Sequence, residues 1–129
     1  MTNAATILVV EDDTVLRLLL VEELEETGCE VFEAENAPKA IVVLETQVDI
    51  RLILTDIDLS SEAEGVELAK LVRDRWPPIR IILSSGNWSF EQQELTFAER
   101  FIPKPHPSGA LLNSIKSCLA RRTVADGSF

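Results

Sequence analysis

The fold is decided by the stretch ILVVED, residues 7–12, in which four apolar residues lead directly into two carboxylates. A run that is apolar at every position is typical of a strand that is buried on both faces of a parallel sheet. Residues 52–54, LIL, are also apolar throughout, and Ile79–Leu83 is apolar except at Arg80. These three runs predict the central strands of an α/β sheet.

Two weaker runs predict strands nearer the edges of the same sheet. Residues 30–34, EVFEA, alternate charged with apolar side chains, and Arg100–Ile102 is short and is followed by Pro103. Charged residues and proline are both typical of edge strands, where one side of the strand lacks a hydrogen-bonding neighbour. The sequence therefore predicts five strands in all.

Cap residues mark the helices that separate these strands. Asp13 or Thr14 is placed to cap the first helix, Asn36 the second and Ser108 the last. Gly28 follows the first helix at the position where a residue in the left-handed conformation commonly ends one. The pattern of strand, helix and strand favours parallel pairing throughout.

Apolar residues at helical spacing predict which helix faces pack on the sheet. The third helix is predicted over Gly65–Trp76, before Pro77, and the segment Ser89–Glu99 has the weakest helical pattern. The predicted core-facing side chains are Leu16, Leu19, Leu20 and Leu24; Ala37, Ala40, Ile41 and Leu44; Leu68, Val72 and Trp76; and Leu111, Leu112, Ile115 and Leu119.

Length and composition indicate one globular domain. The 129 residues are 46% hydrophobic and 26% charged, and we expect a core over residues 6–122 with a frayed tail from 123 to 129. The net charge of −10 disfavours direct binding to nucleic acid. The sequence lacks an apolar stretch near the roughly 20 residues of a membrane helix, and it lacks a signal peptide pattern. With isolated Cys29 and Cys118, these features predict a cytoplasmic protein with reduced thiols.

Polar residues follow four of the predicted strands. They are Glu11, Asp12 and Asp13 after the first strand, Asp56 after the third, Ser84 and Ser85 at the end of the fourth, and Lys104 after the fifth. The carboxyl ends of parallel strands meet at one rim, where ligands bind in open α/β sheets. Converging carboxylates repel each other unless a cation lies between them, and Mg²⁺ prefers oxygen ligands. A carboxylate at such a site can serve as a nucleophile.

These motifs closely resemble the receiver domain of two-component response regulators. The resemblance covers residues 6–122 and rests on four motifs: ILVVED at residues 7–12, LTDI at 54–57, LSSG at 83–86 and FIPKP at 101–105. It implies a flavodoxin-like (βα)₅ fold, a doubly wound parallel sheet with strand order 2-1-3-4-5.

The resemblance also implies a role for each rim residue. Asp56 is implied to be the phosphoacceptor, and Ser85 and Lys104 to bind the phosphoryl group. The implied Mg²⁺ ligands are Asp12, Glu11 through water, Asp56 and the backbone carbonyl of Asp58. Phe101 falls where the family places an aromatic switch, which turns inward as Ser85 moves toward the phosphoryl group.

The same resemblance implies the partners. A sensor histidine kinase or a histidine phosphotransfer protein would supply the phosphoryl group, and a downstream protein would bind the face formed by the fourth helix, fifth strand and fifth helix. Phosphorylation-dependent homodimers are a further expectation. The chain would phosphorylate and dephosphorylate its own side chain and would not be a turnover enzyme. Met1 favours a free-standing chain over a fragment of a hybrid kinase.

Two features depart from the family pattern. Asp56 and Gly65 are nine positions apart, one more than is usual, and the loop Ser60–Glu64 is predicted to be flexible. Asp58 places a carboxylate where the family's side chain faces the reacting water, so Asp58→Asn is predicted to change the phosphoryl lifetime.

Two alternatives belong to other functional classes. Asp56-Ile57-Asp58 has the Asp-x-Asp form of haloacid-dehalogenase-type phosphatases, but in those enzymes the motif follows the first strand and the acidic pair comes late. A receiver-like module that binds partners without phosphorylation is the other alternative. The presence of Glu11, Asp12, Asp56, Ser85 and Lys104 together argues against it.

Overall fold

The computed structural model describes residues 5–56, 62–85 and 100–103. Its strands are β1 (Thr6–Val10), β2 (Glu30–Ala34), β3 (Ile50–Asp56), β4 (Arg80–Ser85) and β5 (Arg100–Pro103). Its helices are α1 (Thr14–Glu25), α2 (Ala37–Thr46) and α3 (Glu62–Arg75). The five strands form one parallel sheet in the order β2-β1-β3-β4-β5, which confirms the predicted doubly wound topology.

The division into central and edge strands is also confirmed. β1, β3 and β4 lie inside the sheet, whereas β2 and β5 lie at its edges. The side chains of residues 7–10 are at most 1% exposed. Strand β3 is longer than its apolar run, because it begins at Ile50 and continues through Thr55 to Asp56. Backbone pairing with β1 and β4 therefore carries polar residues into the ends of the central strands.

Two apolar clusters cover the two faces of the sheet. Leu8 and Val10 of β1 pack in the cluster that includes the buried residues of α2 and α3. Ile7 and Val9 pack on the opposite face, in the cluster that includes the buried residues of α1. Alternate side chains of a strand point to opposite faces, which explains why a strand covered on both faces, such as β1, has a continuous run of apolar residues.

Helix α1 begins and ends as the sequence predicts, but its buried face differs. Asp13 caps it, accepting a hydrogen bond from the Leu16 N–H at 3.0 Å, and Gly28 has φ +95° just beyond its end. Leu19, predicted to face the core, is 57% exposed, and Val21 is buried instead. At about 3.6 residues per turn, Val21 shares a face with Leu20 and Leu24, whereas Leu19 lies outside it.

Helix α2 matches its prediction, and α3 corrects one. Asn36 caps α2 by accepting a hydrogen bond from the Lys39 N–H at 2.9 Å. Helix α3 begins at Glu62, so residues 62–64 are helical and not part of the predicted flexible loop. Gly65 suggested a helix start, but the preceding Glu-Ala-Glu favours helix, and its acidic residues favour a helix N-terminus.

Several predictions fall on other parts of the chain. The helix over Ser89–Glu99, the helix capped by Ser108 and the tail from Thr123 lie outside the described residues, as does Cys118. Cys29 is a free thiol. Of the helices in the described ranges, none has the length and apolar character that a bilayer crossing requires.

Candidate functional site

Strand register sets the positions of the candidate residues at the carboxyl edge of the sheet. Val10 of β1 is paired with Thr55 of β3, so Glu11 and Asp56 each come one residue after a paired position. Asp56 is paired with Ser84, and Ser85 with Pro103. Residues from four strands thus reach the same edge.

Some of the predicted site residues are placed only by their backbone or not at all. Asp56 and Ser85 are the last residues of β3 and β4, and Phe101 is paired with Leu83 inside β5. Lys104 and Asp58 lie outside the described residues; Lys104 directly follows Pro103, the last residue of β5. The roles assigned to these residues stay predictions.

Glu11 is a buried carboxylate in the turn that joins β1 to α1. Its side chain is 2% exposed, and Oε2 accepts a hydrogen bond from the Asp13 N–H at 3.2 Å. Its own N–H donates to the Ala34 carbonyl at 3.1 Å, which extends the pairing of β1 with β2 by one residue. Burying a carboxylate is costly unless hydrogen bonds or cations compensate it, so a buried Glu11 indicates a specific role for this turn.

The three acidic residues of this turn have different environments. Glu11 is buried, Asp12 is exposed at a bend, and Asp13 is exposed as the cap of α1. The three residues are adjacent in the sequence, but one carboxylate oxygen of Asp13 accepts the hydrogen bond that caps α1. Glu11 and Asp12 are therefore the better candidates for binding a cation.

Arg17 is a component of the site that the sequence analysis missed. Its Nη1 donates to the Glu11 carbonyl at 2.8 Å, and its Nε forms an ion pair with Glu33 Oε1 at 2.9 Å. A cation near the N-terminus of a helix opposes the helix dipole. An arginine one turn after the cap was therefore the available signal, but nothing in the sequence names Glu11 and Glu33 as its partners.

Polar side chains are also buried where the central strands end. Thr55 is 0% exposed and Ser84 is 4% exposed. Among the described residues, the Ser84 hydroxyl oxygen has no hydrogen-bond partner. A sheet interior that is otherwise apolar thus becomes polar close to Asp56, the residue paired with Ser84.

The donor set suits a hard cation. Glu11 and Asp12 offer carboxylate oxygens beside the end of β3, and oxygen is the ligand atom that Mg²⁺ prefers. Among the described side chains, which do not include those of Asp56 and Asp58, no three acidic, cysteine or histidine groups gather at metal-binding distance.

Comparison with known proteins matches most of the chain to one protein family. Residues 7–116 match the family model of the response regulator receiver domain. The phosphate regulon transcriptional regulatory protein PhoB of Pseudomonas aeruginosa is 34% identical over 127 residues, which cover 94% of this chain and 54% of PhoB. The chain spans about half the length, or less, of the curated relatives that it matches.

Two solved structures of response regulator proteins have a similar overall fold. A CheY-like response regulator receiver domain protein from Methanospirillum hungatei is 29% identical, with a TM-score of 0.87 over 95% of this chain and 99% of that one. The response regulator TrrA from Thermotoga maritima, solved in complex with Mg(2+)-BeF, is 28% identical, with a TM-score of 0.78 over 88% of this chain and 97% of that one.

Proposed function

The chain belongs to the response regulator receiver domain family, and from that premise we propose that Asp56 accepts a phosphoryl group in the cytoplasm. The donor is a sensor histidine kinase or a histidine phosphotransfer protein. A carboxylate oxygen of Asp56 forms a bond to phosphorus as the donor's phosphorus–nitrogen bond breaks, and the leaving imidazole keeps the electron pair. Water later cleaves the acyl phosphate, so the chain acts on its own side chain and not as a turnover enzyme.

The observation that carries this proposal is the strand register at the carboxyl edge. Asp56 ends the central strand β3, between β1, which leads into Glu11 and Asp12, and β4, which ends at Ser85. In this strand order, the strand that leads into Glu11 and Asp12 lies on one side of β3, and the strand that ends at Ser85 lies on the other. This is the arrangement that transfer of a phosphoryl group with a bound divalent cation requires.

Mg²⁺ is the cofactor of the proposal. Glu11, Asp12, Asp56 and the backbone carbonyl of Asp58 would hold it, and when bound it neutralises charge on the phosphoryl oxygens. The all-oxygen donor set supports this assignment, as does the Mg(2+)-BeF complex of TrrA, whose fold this chain shares. Ser85 and Lys104 bind the remaining phosphoryl oxygens.

The output of the proposal is a change in protein contacts. Ser85 moves toward the phosphoryl group and Phe101 turns inward, which alters the surface formed by residues 89–99, β5 and the helix that Ser108 caps. A downstream protein, or a second copy of the chain, binds that surface. Ser85 is paired with Pro103, so a movement of Ser85 in β4 can shift β5, which is part of this surface.

Intact-mass spectrometry after incubation with acetyl phosphate and MgCl₂ tests the proposal. We expect one phosphoryl adduct, which should not form in Asp56→Asn or when EDTA replaces MgCl₂ during the incubation. Asp49→Asn is the matched control, because Asp49 is an exposed aspartate in the turn before β3 and should keep the adduct. An adduct that survives Asp56→Asn would contradict the assignment. If acetyl phosphate gives no adduct, a histidine kinase replaces it, and failure with both donors favours a phosphorylation-independent module.

A further inference from the structure

We propose that Arg17 is a positioning residue for the Mg²⁺ site and acts through the backbone of Glu11. This inference rests on the proposed function, since it concerns the cation that the function requires. It assigns a role to a side chain that does not itself bind metal, nucleophile or phosphoryl group.

The contacts of Arg17 join three elements of the fold. Its side chain extends from the first turns of α1, donates to the carbonyl of Glu11 just after β1, and forms the ion pair with Glu33 on β2. The Arg17 side chain is only 13% exposed, so little water competes for these bonds. The residue immediately before Asp12 is therefore fixed at its carbonyl by Arg17 and at its N–H by Ala34.

Only an arginine can make these two bonds at once. The guanidinium is planar, and its Nε and Nη donors point in fixed directions, whereas an ammonium presents one compact charge at the end of a flexible stem. Here Nε binds a carboxylate and Nη1 binds a backbone carbonyl. Lysine at this position would keep the charge and lose the simultaneous hold on Glu11 and Glu33.

The geometry of the turn matters because Mg²⁺ tolerates little distortion. It requires nearly octahedral coordination, and residues that orient the ligands of a metal strongly affect its affinity. Asp12 is exposed, so burial does not fix its position. The path of the backbone through Glu11 is what sets the direction from which Asp12 approaches the cation.

Electrostatics alone predicts the opposite effect of removing Arg17. A cation close to the site repels Mg²⁺, so a neutral residue at position 17 should strengthen Mg²⁺ binding if only charge counts. A positioning role predicts weaker binding from the same substitution. The sign of the change therefore separates the two explanations.

The test measures melting temperature as a function of MgCl₂ concentration in the full chain. Because a ligand of the native state raises the melting temperature, the titration yields a Kd for each variant relative to its own metal-free melting temperature. The variants are Arg17→Gln, Arg17→Lys and Arg75→Gln. Arg75 is the matched control, since it pairs with Glu45 at 3.2 Å on an exposed surface and its loss changes the net charge equally.

We expect the Kd for Mg²⁺ to rise about tenfold in Arg17→Gln and Arg17→Lys, and to stay within about twofold in Arg75→Gln. An unchanged or lower Kd in both Arg17 variants would overturn the inference. If Arg17→Gln does not fold, Arg17→Lys decides alone, since it retains the charge. A wild-type chain that does not respond to MgCl₂ would instead overturn the Mg²⁺ site of the proposed function.

Discussion

Strand β1 and the turn after it, residues 11–13, adjoin in the chain but are held in place by different forces. The apolar residues of β1 are at most 1% exposed and are fixed by burial between two clusters. The turn is fixed by hydrogen bonds that Arg17 and the Asp13 N–H donate to Glu11, and by one that the Glu11 N–H donates to the Ala34 carbonyl. Burial has no preferred direction, whereas a hydrogen bond fixes individual atoms. The strand therefore supplies stability and the turn supplies geometry.

The largest effect expected from this comparison is a loss of burial. Leu52 is 0% exposed in the cluster that α1 covers, so Leu52→Ala should lower the free energy of unfolding by about 2–5 kcal/mol. Val48→Ala is the control, because Val48 is 90% exposed and its truncation should cost less than about 0.5 kcal/mol. Urea denaturation measures both. A loss in Leu52→Ala no larger than in Val48→Ala would contradict the role of burial.

Loss of a helix cap should have a smaller effect on stability, and the Kd for Mg²⁺ should distinguish the cap of α1 from the cap of α2. Asp13→Ala and Asn36→Ala each remove a cap and should each cost about 1 kcal/mol of stability. Only Asp13 lies in the acidic turn, so only Asp13→Ala should also raise the Kd for Mg²⁺. Asp13→Asn keeps a cap oxygen and removes the charge, and should bind Mg²⁺ more tightly than Asp13→Ala. Equal Kd values for Asp13→Ala and Asn36→Ala would remove Asp13 from the site geometry.

The smallest effect on stability is expected for an exposed ion pair at the start of α2. Lys39 and Glu35 lie 3.2 Å apart with side chains 61% and 51% exposed. Lys39→Gln should change the free energy of unfolding by less than about 0.5 kcal/mol, and high salt should abolish the difference. Urea denaturation at low and at high ionic strength checks this. Exposed ion pairs usually contribute less than about 1 kcal/mol. A larger loss of stability that does not depend on salt would show that the exposure of Lys39 and Glu35 does not predict the strength of this pair.

The sequence predicted those features that depend on burial. Predominantly apolar runs identified β1, β3 and β4 as central, and Asp13, Asn36 and Gly28 marked helix ends correctly. Leu19 was misplaced because a leucine at roughly helical spacing does not define the centre of the buried face. Helix α3 starts before Gly65, because the helix-forming residues 62–64 extend it in the N-terminal direction.

The geometry of the site was less accessible to sequence reasoning. Topology implied which strand ends share an edge, because that follows from parallel strands alone. The contacts of Arg17 with Glu11 and Glu33 depend on β2 lying beside β1 at a particular register, with Val9 paired to Glu33. The contact between Arg17 and Glu33 joins residues 16 positions apart, and no local sequence pattern predicts it.

The position of β1 inside the sheet has a consequence for how the chain acquires its structure during synthesis. β1 is made first among the five strands but pairs on one side with β3, which begins only at Ile50. Until then, one edge of a strand that is apolar from Ile7 to Val10 has no neighbour. Unpaired strand edges of this kind can pair with strands of other chains. A nascent or truncated chain that stops before β3 should therefore aggregate, whereas one that includes β3 has that edge covered.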